Sequence, residues 1–145
     1  MQGPLDIRRV GAGDLALLAS ADPRLARDAV HRRHIRELLT AGLSWAAVSD
    51  GAAAGLAVVT HHFFGFPFVD LLMVDEARRR GGIGLALIDR CAAAHDADRI
   101  FTSTNESNAP MRRLLHKAGW LPAGVVHYLD PGDPELVFVK LRAPA

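Results

Sequence analysis

The chain has 145 residues, half of them hydrophobic, with 17 Lys and Arg against 16 Asp and Glu and a single cysteine. That length and apolar content describe one domain, 1–145, with a real core, and a net charge of +1 gives no reason to expect nucleic acid. The lone Cys91 excludes an internal disulfide and a cysteine-rich metal site, and no run approaches the ~20 apolar residues that span a bilayer. The opening Met1-Gln2-Gly3-Pro4 lacks the basic start and apolar core of a signal peptide, so a cytoplasmic location is expected.

In chain order, Leu5 to Val10 alternates and is predicted as a strand. Asp14 is placed to cap a short helix through Leu18, which Asp22-Pro23 breaks. Arg24 to Leu39 reads as one longer helix with Leu25, Ile35, Leu38 and Leu39 inward, ending near Gly42. Its Arg24, Arg27, Arg32, Arg33 and Arg36, with His31 and His34 among them, read as a solvated cationic face rather than a metal site. Trp45 to Ser49 and Leu56 to Phe63 form a hairpin over Asp50-Gly51. His61 and His62 are neighbours on that strand, so they point to opposite faces and cannot chelate one ion; no metal is predicted.

Phe68 to Val74 is the next strand, interrupted by Asp70. Gly82 to His95 follows as a helix whose stripe is Gly84, Leu87, Ile88 and Cys91, which makes Cys91 a packing thiol. Arg99 to Thr104 is a short strand. Met111 to Ala118 is a helix, started at Asn108-Ala109-Pro110 and stopped at Gly119. Val125 to Leu129 and Leu136 to Leu141 close the chain as a hairpin over Asp130-Pro131-Gly132-Asp133-Pro134.

The segment Val74-Asp75-Glu76-Ala77-Arg78-Arg79-Arg80-Gly81-Gly82-Ile83-Gly84-Leu85 carries the most chemistry. A strand that meets a glycine turn and then a helix leaves free N–H groups at the positive end of the helix dipole, which is a site for an anion, usually a phosphate. Three arginines before the turn add positive charge. A dinucleotide fingerprint would need Gly-x-Gly-x-x-Gly after the first strand, and a P-loop would need Lys-Ser or Lys-Thr after the last glycine; neither is present.

What matches is Arg79-x-x-Gly82-x-Gly84, which resembles the acyl-CoA pyrophosphate loop of the GNAT family of N-acetyltransferases. A second family motif follows in order: Asn108, a helix, then Lys117, Gly119 and Trp120, with Trp where the family has Phe. By motif the resemblance covers Phe68 to Trp120, and the predicted order β-α-α-β-β-β-α-β-α-β-β agrees over the rest. It implies an α+β fold, a mostly antiparallel seven-stranded sheet flanked by about four helices, with acetyl-CoA as co-substrate in a gap between the strand ending at Val74 and the strand Arg99 to Thr104. It further implies that the main chain of Met73 and Val74 bonds the pantetheine arm. Arg79, Arg80, Gly81, Gly82, Ile83 and Gly84 are then expected to hold the pyrophosphate, and Asn108 to touch the cofactor near the thioester.

The implied reaction is direct attack of a primary amine, from a small molecule or a protein, on the thioester, with a main-chain N–H near Val74 facing the oxyanion. A homodimer is a further expectation, and an acyl-CoA-binding module with little transferase activity is the alternative. Many members carry a general-acid tyrosine where this chain has Leu115. Tyr128, the one tyrosine, is the substitute candidate on the penultimate strand, and His116 beside Leu115 is a weaker relay candidate. Asp70, expected among apolar neighbours on the face of Leu72 and Val74, is the candidate base. The arginine helix and the acidic final turn point to acceptors of opposite charge, so the acceptor is left open.

Overall fold

The computed structural model describes residues 4–79 and 81–142. Its strands are β1 (Asp6–Val10), β2 (Leu43–Ser49), β3 (Ala52–Phe63), β4 (Phe66–Val74), β5 (Arg99–Asn105), β6 (Leu121–Val126) and β7 (Glu135–Leu141). They form one sheet in the order β1-β2-β3-β4-β5-β7-β6, and only the β4–β5 pair is parallel. The helices are α1 (Leu15–Leu18), α2 (Arg24–Arg27), α3 (Ala29–Ala41), α4 (Ile83–Ala93) and α5 (Ala109–Lys117). The α+β architecture anticipated above is the one found.

Each sheet face has its own core. Leu18, Leu25, Ile35 and Leu39 of α1 to α3 pack on Ala46, Val48, Leu56 and Val58. Leu87, Ile88 and Cys91 of α4, with Leu115 of α5, pack on Trp45, Ala57, Val59 and Val69 on the other face. Strand β3 starts earlier than its first large apolar residue suggests. Asp50 and Gly51 both take positive φ, 53° and 75°, so the turn has two residues and Ala52 already pairs with Ser49. A small residue is required at Gly55: a Cβ there would lie 2.9 Å from Leu87 Cδ1 and 3.0 Å from the Met73 carbonyl oxygen.

Two expected boundaries move. The helix expected over Arg24 to Leu39 is two helices, because Asp28 is extended (φ −123°, ψ 102°) and its carboxylate accepts from His31 N–H at 3.0 Å. An aspartate that satisfies an orphan amide this way starts a new helix rather than continuing the old one. The penultimate strand lies at Leu121–Val126, not Val125 to Leu129. Gly119 (φ 82°) ends α5, and the buried Trp120 anchors the chain so that extension begins at once. All six residues of β6 are exposed, and β6 forms one edge of the sheet with β1 at the other.

Candidate functional site

Parallel pairing between β4 and β5 is limited to Phe68 with Phe101 and Val69 with Thr102. Thr102 Oγ1 donates to the Val69 carbonyl at 3.0 Å and closes the pairing there. Beyond it β4 stays with β3 as far as Val74, and β5 stays with β7 as far as Asn105, so the two strands part. Alternate residues of each strand then aim their N–H and C=O groups into the gap, a template for an extended ligand. Met73 and Val74, paired with Leu56 and Gly55 on the β3 side, lie along this unzipped stretch. The gap opens at the carboxyl ends of parallel strands, where ligands of open α/β sheets are commonly held.

At the top of the gap the chain turns into α4. Asp75 N–H donates to the Ala54 carbonyl at 2.8 Å, and a single 3-10 turn, Glu76–Arg78, follows. Arg79 is extended and exposed, 3.9 Å from Glu76. Arg80, expected to join this loop, lies outside the described residues. Gly82 takes φ 80° and caps α4 with nothing within 4 Å of where a Cβ would be. Left-handed backbone is cheap only for glycine, and the first turn of a helix leaves its amides without intrahelical partners. The Ile83 side chain is buried, so only its main chain faces the loop.

The two glycines of the motif do different things. Gly82 faces open space, whereas a Cβ on Gly84 would lie 3.3 Å from Leu114 Cδ2 and 3.7 Å from Val74 Cγ2. Gly84 therefore lets α4 close onto α5 and the end of β4. Arg78 Nε is buried with no partner among the described residues, a donor left over beside the loop. Across the gap, Asn108 caps α5 by accepting from Met111 N–H at 3.2 Å, and its own N–H donates to Asn105 at the end of β5 at 2.9 Å.

Asp70 differs from its expected setting. Val59 pairs with Val69 and Val58 with Leu71, so Asp70 is the extra residue of a bulge in β4. The bulge changes the alternation: Val69, Leu72 and Val74 face the α4 side, and Leu71 and Met73 face the α1 to α3 side. Asp70 is exposed, and its carboxylate accepts a hydrogen bond from Thr60 Oγ1. It does not share the apolar face of Leu72 and Val74. It follows directly after the last β4 residue paired with β5, at the fork of the gap.

The other candidates are also relocated. Tyr128 is not on a strand; it sits in the loop after β6 with φ 75° and is 99% exposed. Leu115 is fully buried. His116 opens instead onto a groove of about 910 Å³ shared with Arg112, Arg113, Val125 and Phe138, between α5 and the β6–β7 pair. Burial pushes the Cys91 thiol up to about 12, which removes it as a nucleophile. His31 is not on a solvated face: its Nε2 lies 2.5 Å from Asp22 Oδ2, and the side chains are 12% and 5% exposed. Among the described residues no three His, Cys, Asp or Glu side chains are grouped to hold a metal ion.

A family model described as the acetyltransferase (GNAT) family matches residues 15–120. A GNAT-family acetyltransferase from Bacillus cereus ATCC 10987 is 26% identical, with a TM-score of 0.87 over 98% of this chain and 100% of that one. A Bacillus anthracis str. Ames protein designated a streptothricin acetyltransferase, solved in complex with acetyl coenzyme A, is 15% identical with a TM-score of 0.77 over 97% and 99%. The ribosomal-protein-S18-alanine N-acetyltransferase from Escherichia coli is 16% identical with a TM-score of 0.76 over 98% and 96%. No curated protein matches the sequence.

Proposed function

The chain belongs to the acetyltransferase (GNAT) family, and from that premise we propose that it moves an acetyl group from acetyl-CoA to a primary amine of a small molecule or a protein. One observation carries the reading: the only parallel strand pair unzips after two residue pairs, beside a left-handed glycine that opens a helix N-terminus. A gap lined by unpaired main chain suits the amide-bearing pantetheine arm, and the amides from Gly82 to Gly84, with Arg79 and the spare Arg78 Nε, suit its diphosphate. That the Bacillus anthracis neighbour was solved with acetyl coenzyme A supports the same fit. Met73, Val74 and Asn108 are the proposed contacts along the arm, and Arg80 and Gly81 join the loop by the sequence motif.

The co-substrate supplies an activated thioester; the protein's part is to align, desolvate and deprotonate. Alignment of two bound reactants alone is worth several kcal/mol. An amine arrives mostly protonated at pH 7 and has to lose a proton before it reacts. Asp70, an exposed carboxylate at the fork with no ion-pair partner among the described residues, is the proposed base. Tyr128 is the remaining proposed acid, and from its loop it has to swing over the gap to reach a departing thiolate.

A second reading keeps the fold and drops the transfer. With Leu115 buried and the one phenol out in a loop, an acyl-CoA-binding module is the alternative. Thiol release from acetyl-CoA separates the two, measured with an alkyl diamine, an aromatic ethylamine, an amino sugar and a peptide with a free N-terminus. Turnover on at least one of them, lowered about a hundredfold or more by Asp70→Asn, is expected. Tight CoA binding without turnover on any of the four overturns the transferase reading.

A further inference from the structure

Thr60 is a polar side chain buried completely in the sheet, directly behind the proposed base. It stands on β3 opposite Phe68, and the bulge that lifts Asp70 out of the β4 alternation brings the carboxylate onto the Thr60 hydroxyl. Two hydrogen bonds define this hydroxyl. It accepts the His62 amide N–H at 3.4 Å, which leaves its own proton for Asp70 Oδ2. The end of α3 lies close against this part of β3: a Cβ built on Gly42 would come within 3.1 Å of Thr60 Cγ2, and within 2.2 Å of the Val59 carbonyl oxygen. A β-branched side chain is stiff at χ1, and the two hydrogen bonds of the hydroxyl favour one rotamer.

We propose that Thr60 is a positioning residue for the transfer reaction: it pins one oxygen of Asp70 and leaves Oδ1 aimed at the incoming amine at the fork of β4 and β5. This rests on the reading of Asp70 as the base. The physical ground is pre-organisation. A carboxylate exposed to water samples several rotamers, and a bulge residue has no strand partner to restrain it. A buried hydroxyl with its rotamer locked selects one of them before the amine arrives, and it adds no positive charge that would compete with the amine for the carboxylate. The acceptor this arrangement fits is a cationic amine, which meets an acid with a free oxygen rather than one already paired with arginine.

The test compares Thr60→Val, Thr60→Ser, Asp70→Asn and the double variant Thr60→Val/Asp70→Asn. The assay is acetyl-CoA thiol release with whichever of the four amines above is turned over fastest. Thr60→Val keeps the shape and the branch and removes the hydroxyl, both the donor to Asp70 and the acceptor of the His62 amide; it is expected to lower kcat on the order of tenfold with KM for acetyl-CoA unchanged. Thr60→Ser is expected to restore kcat to within about threefold of wild type, since the donor returns. In the Asp70→Asn background, Thr60→Val is expected to cost nothing more, because a residue acting through Asp70 has nothing left to act on. A purely structural Thr60 would subtract from both backgrounds alike.

Thermal unfolding of each variant separates lost fold from lost positioning. Wild-type kcat in Thr60→Val beside a defective Asp70→Asn overturns the positioning role and leaves the base. Wild-type kcat in Asp70→Asn, or no turnover of any amine by the wild type, overturns the base reading, and the inference falls with it.

Discussion

Replacing Gly82 with Glu tests the anion loop separately from the fold. Gly82 has φ 80°, and left-handed backbone costs a residue with a Cβ about 1–2 kcal/mol. No heavy atom lies within 4 Å of the built Cβ, so no clash adds to that cost. An acid at a helix N-terminus returns about 0.3–1 kcal/mol through the dipole. The net loss is on the order of 1 kcal/mol, a melting point lower by about 2–4 °C for a domain of this size. Against a diphosphate the same carboxylate sits roughly 4 Å from like charge, about 4 kcal/mol at an effective dielectric near 20, or about a thousandfold in affinity. Gly82→Asn is the control, since asparagine tolerates positive φ and carries no charge. Calorimetric titration with CoA, beside melts followed by circular dichroism, is expected to show Gly82→Glu folded and binding undetectably. Gly82→Asn should bind within about tenfold of wild type. A folded Gly82→Glu that binds CoA as wild type does refutes the loop assignment. Equal losses in both variants would trace the effect to backbone strain rather than charge.

Leu115→Tyr, which writes the family's usual acid into the chain, is expected not to raise turnover, because Leu115 is fully buried and a larger side chain overpacks the core by about 1–3 kcal/mol; a melt and a kcat measured together check it, and a stable, faster variant would show that the site has room. With its thiol pushed up to about 12 by burial, Cys91 is expected to resist iodoacetamide at pH 8 in the folded protein and to react fully in denaturant. Rapid alkylation of the native protein would show that the α4 stripe opens.

Local signals were strong for most of the fold. Asp50-Gly51 named its turn, Gly119 and Asn108 marked the ends of α5, and the strand-glycine-helix run located the loop. Where reading and structure part, a side-chain contact outweighs the apolar pattern, once within a turn and once from further along the chain. The apolar period of α2 and α3 runs on through Asp28, yet its carboxylate captures the His31 amide and breaks the helix. His31 sits among arginines along the chain, but in space it turns inward to Asp22. Nothing in the order of residues places those two together.

The spacing of glycines, apolar stripes and caps, each acting within one or two turns of backbone, determined most of the elements, their order and the place of the glycine turn before α4. The fork of β4 and β5, the bulge that turns Asp70 to the other face, and the Thr60 hydroxyl behind it were decided only when strands far apart in the chain were paired. Alternation is a rule of period two, and one inserted residue reverses it. Whether a strand accepts that insertion shows only in its neighbour's register, which is not written locally.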